Sequence, residues 1–122
     1  MADKTVLITG AARGIGLATA KLMLGRGWQV AMLDRDREEL DRAGTGLDGA
    51  RPFYCDVSVA EEVEAAIPAI LDTFGQLDAV VNNAGVAEFA PIEETDFSVW
   101  RRVMETNLDG VFLVSQASVP AL

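Results

Sequence analysis

Apolar and polar positions fall in short blocks along the chain. Val6, Leu7 and Ile8 form an apolar run that stops at Thr9-Gly10, and small residues and glycines then lead into Ile15, Ala18 and Leu22 at helical spacing. That succession predicts a strand, a glycine turn and a helix. Gly25 and Gly27 close the helix, and Trp28 to Leu33 predicts a second strand ended by Asp34. The polar stretch Asp36 to Arg42 predicts a short exposed helix, Gly44, Gly46 and Gly49 a loop, and Phe53, Tyr54 and Cys55 a third strand running into Asp56-Val57. Ser58 and Glu61 match a capping box. The helix that follows groups Val63, Ile67, Ile70, Leu71 and Phe74 with Val59, at offsets of 4, 8, 11, 12 and 15, with local distortion expected at Pro68 and a stop at Gly75.

Leu77 to Val81 predicts a fourth strand entering Asn82-Asn83-Ala84-Gly85. A long helix from about Asp96 carries Phe97, Trp100, Val103, Met104, Leu108, Val111 and Phe112, and the chain ends at Pro120-Ala121-Leu122. Strands alternating with helices imply parallel pairing through right-handed crossovers, hence an open α/β sheet in one domain without repeats or low-complexity linkers.

Composition narrows the partners. Of 122 residues, 50% are apolar, enough for a core, and the 10 basic against 19 acidic side chains leave a net charge of −9. A net-negative surface does not attract nucleic acid or anionic lipid. The longest uncharged stretch, Gly110 to Leu122, is too short to span a bilayer, and Met1-Ala2-Asp3-Lys4 lacks the basic-then-apolar character of an export signal, so the expectation is a cytoplasmic protein. With a single cysteine, Cys55, and no histidine, neither an internal disulfide nor a structural zinc site is expected, and the metal set is empty.

The candidate chemistry sits at strand ends. Gly10-Ala11-Ala12-Arg13-Gly14-Ile15-Gly16 lies between the first strand and the first helix, where backbone amides and the positive helix end converge and a phosphate fits. Gly10 allows the tight turn, while Gly14 and Gly16 leave room for a pyrophosphate and for close helix packing. The spacing is G-x-x-x-G-x-G, not G-x-G-x-x-G. Asp34, 18 residues beyond Gly16, ends the second strand where a carboxylate can accept both ribose hydroxyls of an adenosine; it can equally be a solvated acid at the start of the next helix, a role open to Asp36. Asp56 and Val57 line the far side of the same crevice. Asn82-Asn83-Ala84-Gly85 stands at the point where open parallel sheets bind ligands, though Asn and Gly also simply form turns. Asn107 is a poor helix former inside a helix.

Taken in order on a βαβαβ pattern, Thr9-Gly10-x-x-x-Gly14-Ile15-Gly16, Asp34, Asp56-Val57, Asn82-Asn83-Ala84-Gly85 and the segment Asn107 to Gly110 give a chain that resembles the classical short-chain dehydrogenases/reductases over essentially all of its length. The resemblance implies a Rossmann-like sheet of order 3-2-1-4. It also implies a pyrophosphate held at Arg13, Gly14 and Ile15, an adenosine ribose on Asp34, and adenine between Asp56 and Val57. Asn83, Ala84 and Gly85 would then stand on the cofactor's nicotinamide side, and Asn107 would belong to the catalytic tetrad. That tetrad also needs a Ser, a Tyr and a Lys four residues after the Tyr, which these 122 residues do not contain: Tyr54 is followed by Ser58 at that spacing, and Lys4 and Lys21 precede it.

The expectation is therefore an incomplete NAD(P)-binding domain over 1–122, open and truncated after the fourth helix, from an alcohol or ketone oxidoreductase. A free-standing nucleotide-binding or assembly module without catalysis is the alternative. Tyr54 reads as strand packing and Cys55 as a small apolar core residue, with nothing basic nearby to stabilise a thiolate. Asp34 favours NAD over NADP, against an opposite pull from Arg13 and Arg35, of which Arg35 can instead pair with Asp36 or Glu39. The unpaired edge of the fourth strand and the helix after Asp96 predict a homo-oligomer, and the resemblance implies dimer contacts through that helix.

Overall fold

The computed structural model describes residues 3–122. Met1-Ala2, read above for an export signal, lies outside them. Four strands, β1 (Thr5–Thr9), β2 (Gln29–Asp34), β3 (Ala50–Tyr54) and β4 (Ala79–Val81), form one parallel sheet in the order β3-β2-β1-β4. Helices α1 (Gly14–Gly25), α2 (Arg37–Gly44) and α3 (Ala60–Phe74) are the crossovers, and a last helical run comprises α4 (Phe97–Met104), a π turn (Glu105–Asp109) and α5 (Gly110–Ser118). This is the expected Rossmann-like α/β fold. Among the described residues, no helix is long and apolar enough to cross a membrane.

Period-two alternation explains why the central strands read as continuous apolar runs. In β1 and β2, Val6, Ile8, Val30 and Met32 face one side and pack with Ala20 and Leu40 of α1 and α2. Leu7, Ala31 and Leu33 face the other and pack with Val63, Ile67 and Ile70 of α3 and Val114 of α5. Both faces are covered, so both sets of positions must be apolar. At the amino end of β1, Asp78 accepts the Thr5 amide at 2.8 Å while its own amide bonds the Thr5 carbonyl at 2.8 Å. Those two bonds set the register of β4 on β1, and the Thr5 amide, followed by the Gln76 side-chain amide, holds the Asp78 carboxyl below its ordinary pKa.

One local expectation is corrected: the capping box at Ser58 and Glu61 does not form. Ser58 instead donates both its amide and its hydroxyl to Asp56 Oδ1, at 3.0 and 2.6 Å, and it is Glu62 that reaches back to the Asp56 amide, at 3.1 Å. Those bonds turn Ser58 toward the end of β3 and away from the helix, and Val59 stands at the N-cap. Helix α3 runs through Pro68 to Phe74 and stops at Gly75, with φ +81°. The carbonyl that Pro68 leaves without its helical partner belongs to Glu64, an exposed residue.

The last helix buries a stripe of mostly small residues, Thr106, Gly110, Val114 and Ser118, four apart. Phe97, Trp100, Leu108, Val111 and Phe112 are exposed. Small residues win the inner face because the helix lies close to the segment after β3: a Cβ on Gly110 would stand 2.6 Å from Val57 Cγ2.

Gly110→Ala is accordingly expected to destabilise the fold by about 1 to 3 kcal/mol through overpacking, against a helix-propensity gain of at most about 1 kcal/mol. Urea denaturation measures it, and adding Val57→Ala should recover part of the loss.

Candidate functional site

The carboxyl ends of β1 and β4 are buckled together by Thr9 and Asn83. The hydroxyl of Thr9, a residue only 2% exposed, accepts the amides of Asn83 and Ala84, both at 2.9 Å, and donates to the Val81 carbonyl at 3.5 Å. In return Asn83 Nδ2 donates to the carbonyls of Thr9 and Gly10, each at 3.2 Å. The two segments approach so closely that a Cβ on Gly10 would lie 2.8 Å from Ala84 Cα, and one on Gly16 would lie 2.6 Å from Asn83 Nδ2. Gly14 is needed for a different reason: its φ is +59° in otherwise open space.

Beyond the buckle lies a cleft of about 240 Å³ at the carboxyl edge of the sheet. Gly10, Arg13 and Asp34 form one wall; Asp56 and Val57 form another; Asn83, Ala84 and Gly85 form the third. The cleft thus gathers eight of the twelve residues singled out from the sequence. Gly14, Ile15 and Gly16 stand beside it in the first turn of α1, and Asn107 is set back on the π turn. Sequence reasoning missed Leu33, Cys55, Val86 and Thr106 as lining residues, and Thr9 as the buckle. A hydroxyl ending an otherwise apolar central strand was the available signal for Thr9.

At the start of α1, the N-cap Arg13 makes no side-chain cap and the first turn holds no acid. The amides at this helix end therefore retain their capacity and the dipole its positive pole, as an anion requires. Asp34 is fixed by backbone on both oxygens: Oδ2 accepts the Ala12 amide and Oδ1 the Asp36 amide, each at 3.1 Å. Each carboxylate oxygen keeps a further lone pair for a hydroxyl donor. Arg13 pairs with Asp36 at 2.5 Å, and Arg35 approaches Asp56 at 4.0 Å rather than Asp36 or Glu39. The pairing raises the Arg13 pKa; the Asp36 carboxyl is lowered, first by the Glu39 amide and then by Arg13. Glycine cradle, uncapped helix end and anchored carboxylate together suit a dinucleotide with its pyrophosphate on α1.

Two residues are settled by their surroundings. Cys55 is buried, and desolvation followed by the nearby Glu62 and Asp56 charges pushes its thiol up to about 12, so it carries its proton at neutral pH. Tyr54 sits on the sheet edge, donating to Asp41 beneath the Arg37 guanidinium, and that hydrogen bond raises its pKa. Neither is a nucleophile or proton acceptor for the cleft. The side-chain amide of Asn107 is tied to one residue, accepting from the Val86 amide and donating to the Val86 carbonyl, both at 2.8 Å.

Comparison with known proteins agrees with this geometry. A family model described as short chain dehydrogenase matches residues 4–122. The chain is 37% identical over 98% of its length to 2-(S)-hydroxypropyl-CoM dehydrogenase 3 of Xanthobacter autotrophicus, covering 49% of that protein. It is 41% identical over 93% of its length to D-threitol dehydrogenase of Mycolicibacterium smegmatis, covering 45%. Among solved structures, 3-ketoacyl-(acyl-carrier-protein) reductase from Brucella melitensis, complexed with NADH, superposes with a TM-score of 0.95 at 33% identity, over 98% of this chain and 50% of that one. The chain spans about half the length of the relatives it matches.

Thr9→Val keeps the shape of the side chain and removes the buckle. It is expected to cost about 2 to 4 kcal/mol, because two amides lose their acceptor at about 1 to 3 kcal/mol each. Thr9→Ser, which retains the oxygen, should lose less than half of that in the same urea titration.

Proposed function

The chain belongs to the short-chain dehydrogenase family, and from that membership we propose that residues 1–122 form the nicotinamide-dinucleotide-binding part, an incomplete NAD(P)-binding domain, of an alcohol or ketone oxidoreductase. The observation that carries the reading is the Asp34 carboxylate, anchored by the Ala12 and Asp36 amides at the mouth of the cleft with lone pairs left over. Asp34 takes the ribose hydroxyls, the amides at Arg13, Gly14 and Ile15 and the space at Gly10 and Gly16 take the pyrophosphate, and Asp56 and Val57 flank the adenine. Asn83, Ala84 and Gly85 wall the nicotinamide side. The bound dinucleotide supplies hydride transfer. Removing an alcohol proton needs a basic side chain, and Tyr54, held by Asp41, is not one. These 122 residues bind without turning over. Asn107 acts here as a positioning residue that holds Val86, next to Gly85, in place.

NAD is preferred over NADP. Hydrogen bonds to a charged acceptor contribute about 1.5 to 3 kcal/mol, whereas a 2′-phosphate near Asp34 meets a repulsion of roughly 1 to 4 kcal/mol per charge pair at about 4 Å. The two arginines that favour a phosphate both face acids, Arg13 at Asp36 and Arg35 at Asp56. Calorimetric titration at one salt concentration should show NADH binding at least about tenfold more tightly than NADPH, with Asp34→Ala erasing most of that ratio. Tighter NADPH binding by the unmodified chain, or no binding of either, overturns the reading.

The same fold leaves Trp100 and Phe112 exposed at 53% and 61%, and β4 without a neighbour on its outer side. Exposed apolar helix surface and an open strand edge both favour association with a second copy. Sedimentation at tens of micromolar, a range where such surface drives association, should show dimers or larger; a monomer throughout contradicts this.

A further inference from the structure

Asp36 is a candidate for more than helix capping. Its Oδ1 accepts the Glu39 amide at 3.2 Å, which fixes the carboxylate at the start of α2, and its own amide is held by Asp34 Oδ1 at 3.1 Å. Its second oxygen, Oδ2, is thereby presented to Arg13 Nη2 at 2.5 Å. The glycine turn and the end of β2 are thus joined twice, through Ala12 to Asp34 and through Arg13 to Asp36. The second link takes up one of the two arginines that line the cleft.

We propose that Asp36 is a specificity-determining residue, a latch that keeps the Arg13 guanidinium from a ribose 2′-phosphate and so helps to exclude NADP. The inference rests on the reading of the cleft as a dinucleotide site. A guanidinium pairs with phosphate through parallel N–H bonds, and Arg13 lines the cleft in which Asp34 stands. While Asp36 holds it, its charge is offset by a carboxylate, and an incoming phosphate meets the anions Asp34 and Asp36 together. Without the Asp36 charge, Arg13 is free to turn toward the phosphate, and one of the two repelling groups is gone. Both side chains are largely exposed, at 65% and 44%, so the latch is soft, and salt should weaken it.

Asp36→Asn separates the latch from the cap, because asparagine caps a helix as well as aspartate does. NADH and NADPH are titrated against the unmodified chain, Asp36→Asn, Arg13→Ala and the double variant, at low and at high salt. Asp36→Asn should shift the ratio of NADPH to NADH affinity toward NADPH by on the order of tenfold at low salt and less at high salt. Most of the shift should be lost in the double variant, since the larger part requires the released arginine. A shift of undiminished size in the Arg13→Ala background means relief of repulsion alone and overturns the latch. NADH binding by all four proteins with no shift overturns the role of Asp36 while leaving the cleft reading intact. Binding of neither dinucleotide by any of them overturns that reading and the specificity role with it.

Discussion

The close approach of β1 and β4 at their carboxyl ends is the constraint from which the site follows. A parallel sheet buried on both faces delivers every strand end to one edge, and only there can loops from distant parts of the chain meet. Thr9 and Asn83 bring two of those ends into direct contact by satisfying each other's backbone groups. Once they touch, side chains at Gly10 and Gly16 have nowhere to go. The glycines, the bare amides at the head of α1 and the depth of the cleft are consequences of one hydrogen-bonded junction.

Charge works against that geometry at long range and with it at short range. A chain of net charge −9 repels a phosphate-bearing ligand within about a Debye length of its surface. Attraction for an anion therefore falls to a fixed local dipole, the end of α1, while Asp34 offers acceptor oxygens beside it. Arg13 and Arg35 contribute less than their number suggests, because each is turned toward an acid.

The strand order, the glycine turn, Asp34 and the Asn82 to Gly85 segment were legible because each rests on a local rule: apolar alternation, φ above zero, or a carboxylate at a strand end. What stayed hidden depends on competition between neighbours. The serine before α3 looks like a cap, but its amide and hydroxyl are both turned to Asp56 and Val59 stands at the N-cap, a choice that spacing alone does not reveal. In the last helix the apolar surface at Trp100 and Phe112 was legible, but not the buried stripe, because the closeness of Val57 that excludes a side chain at Gly110 leaves no mark in the spacing. Helical periodicity identifies an apolar face and says nothing of how near the neighbouring backbone comes.

That helix also joins the two ends of the cleft. Gly110 rests on Val57, on one side of the cleft, while Asn107, three residues earlier, holds both backbone groups of Val86, on the opposite side. In a regular α-helix, residues three apart share a face, so both contacts would point nearly the same way. The π turn spanning Glu105–Asp109 adds a residue to the turn between them and changes their relative direction. One rigid element can then bear on two walls that diverge, and the spacing between those walls is carried by helix geometry rather than by the loops themselves. A loop held by both hydrogen bonds of an Asn amide loses little freedom when a ligand arrives, which lowers the ordering cost of binding. The irregular turn in the longest helical run is thus what lets the wall at Gly85 and Val86 and the wall at Asp56 and Val57 be set by a single piece of secondary structure.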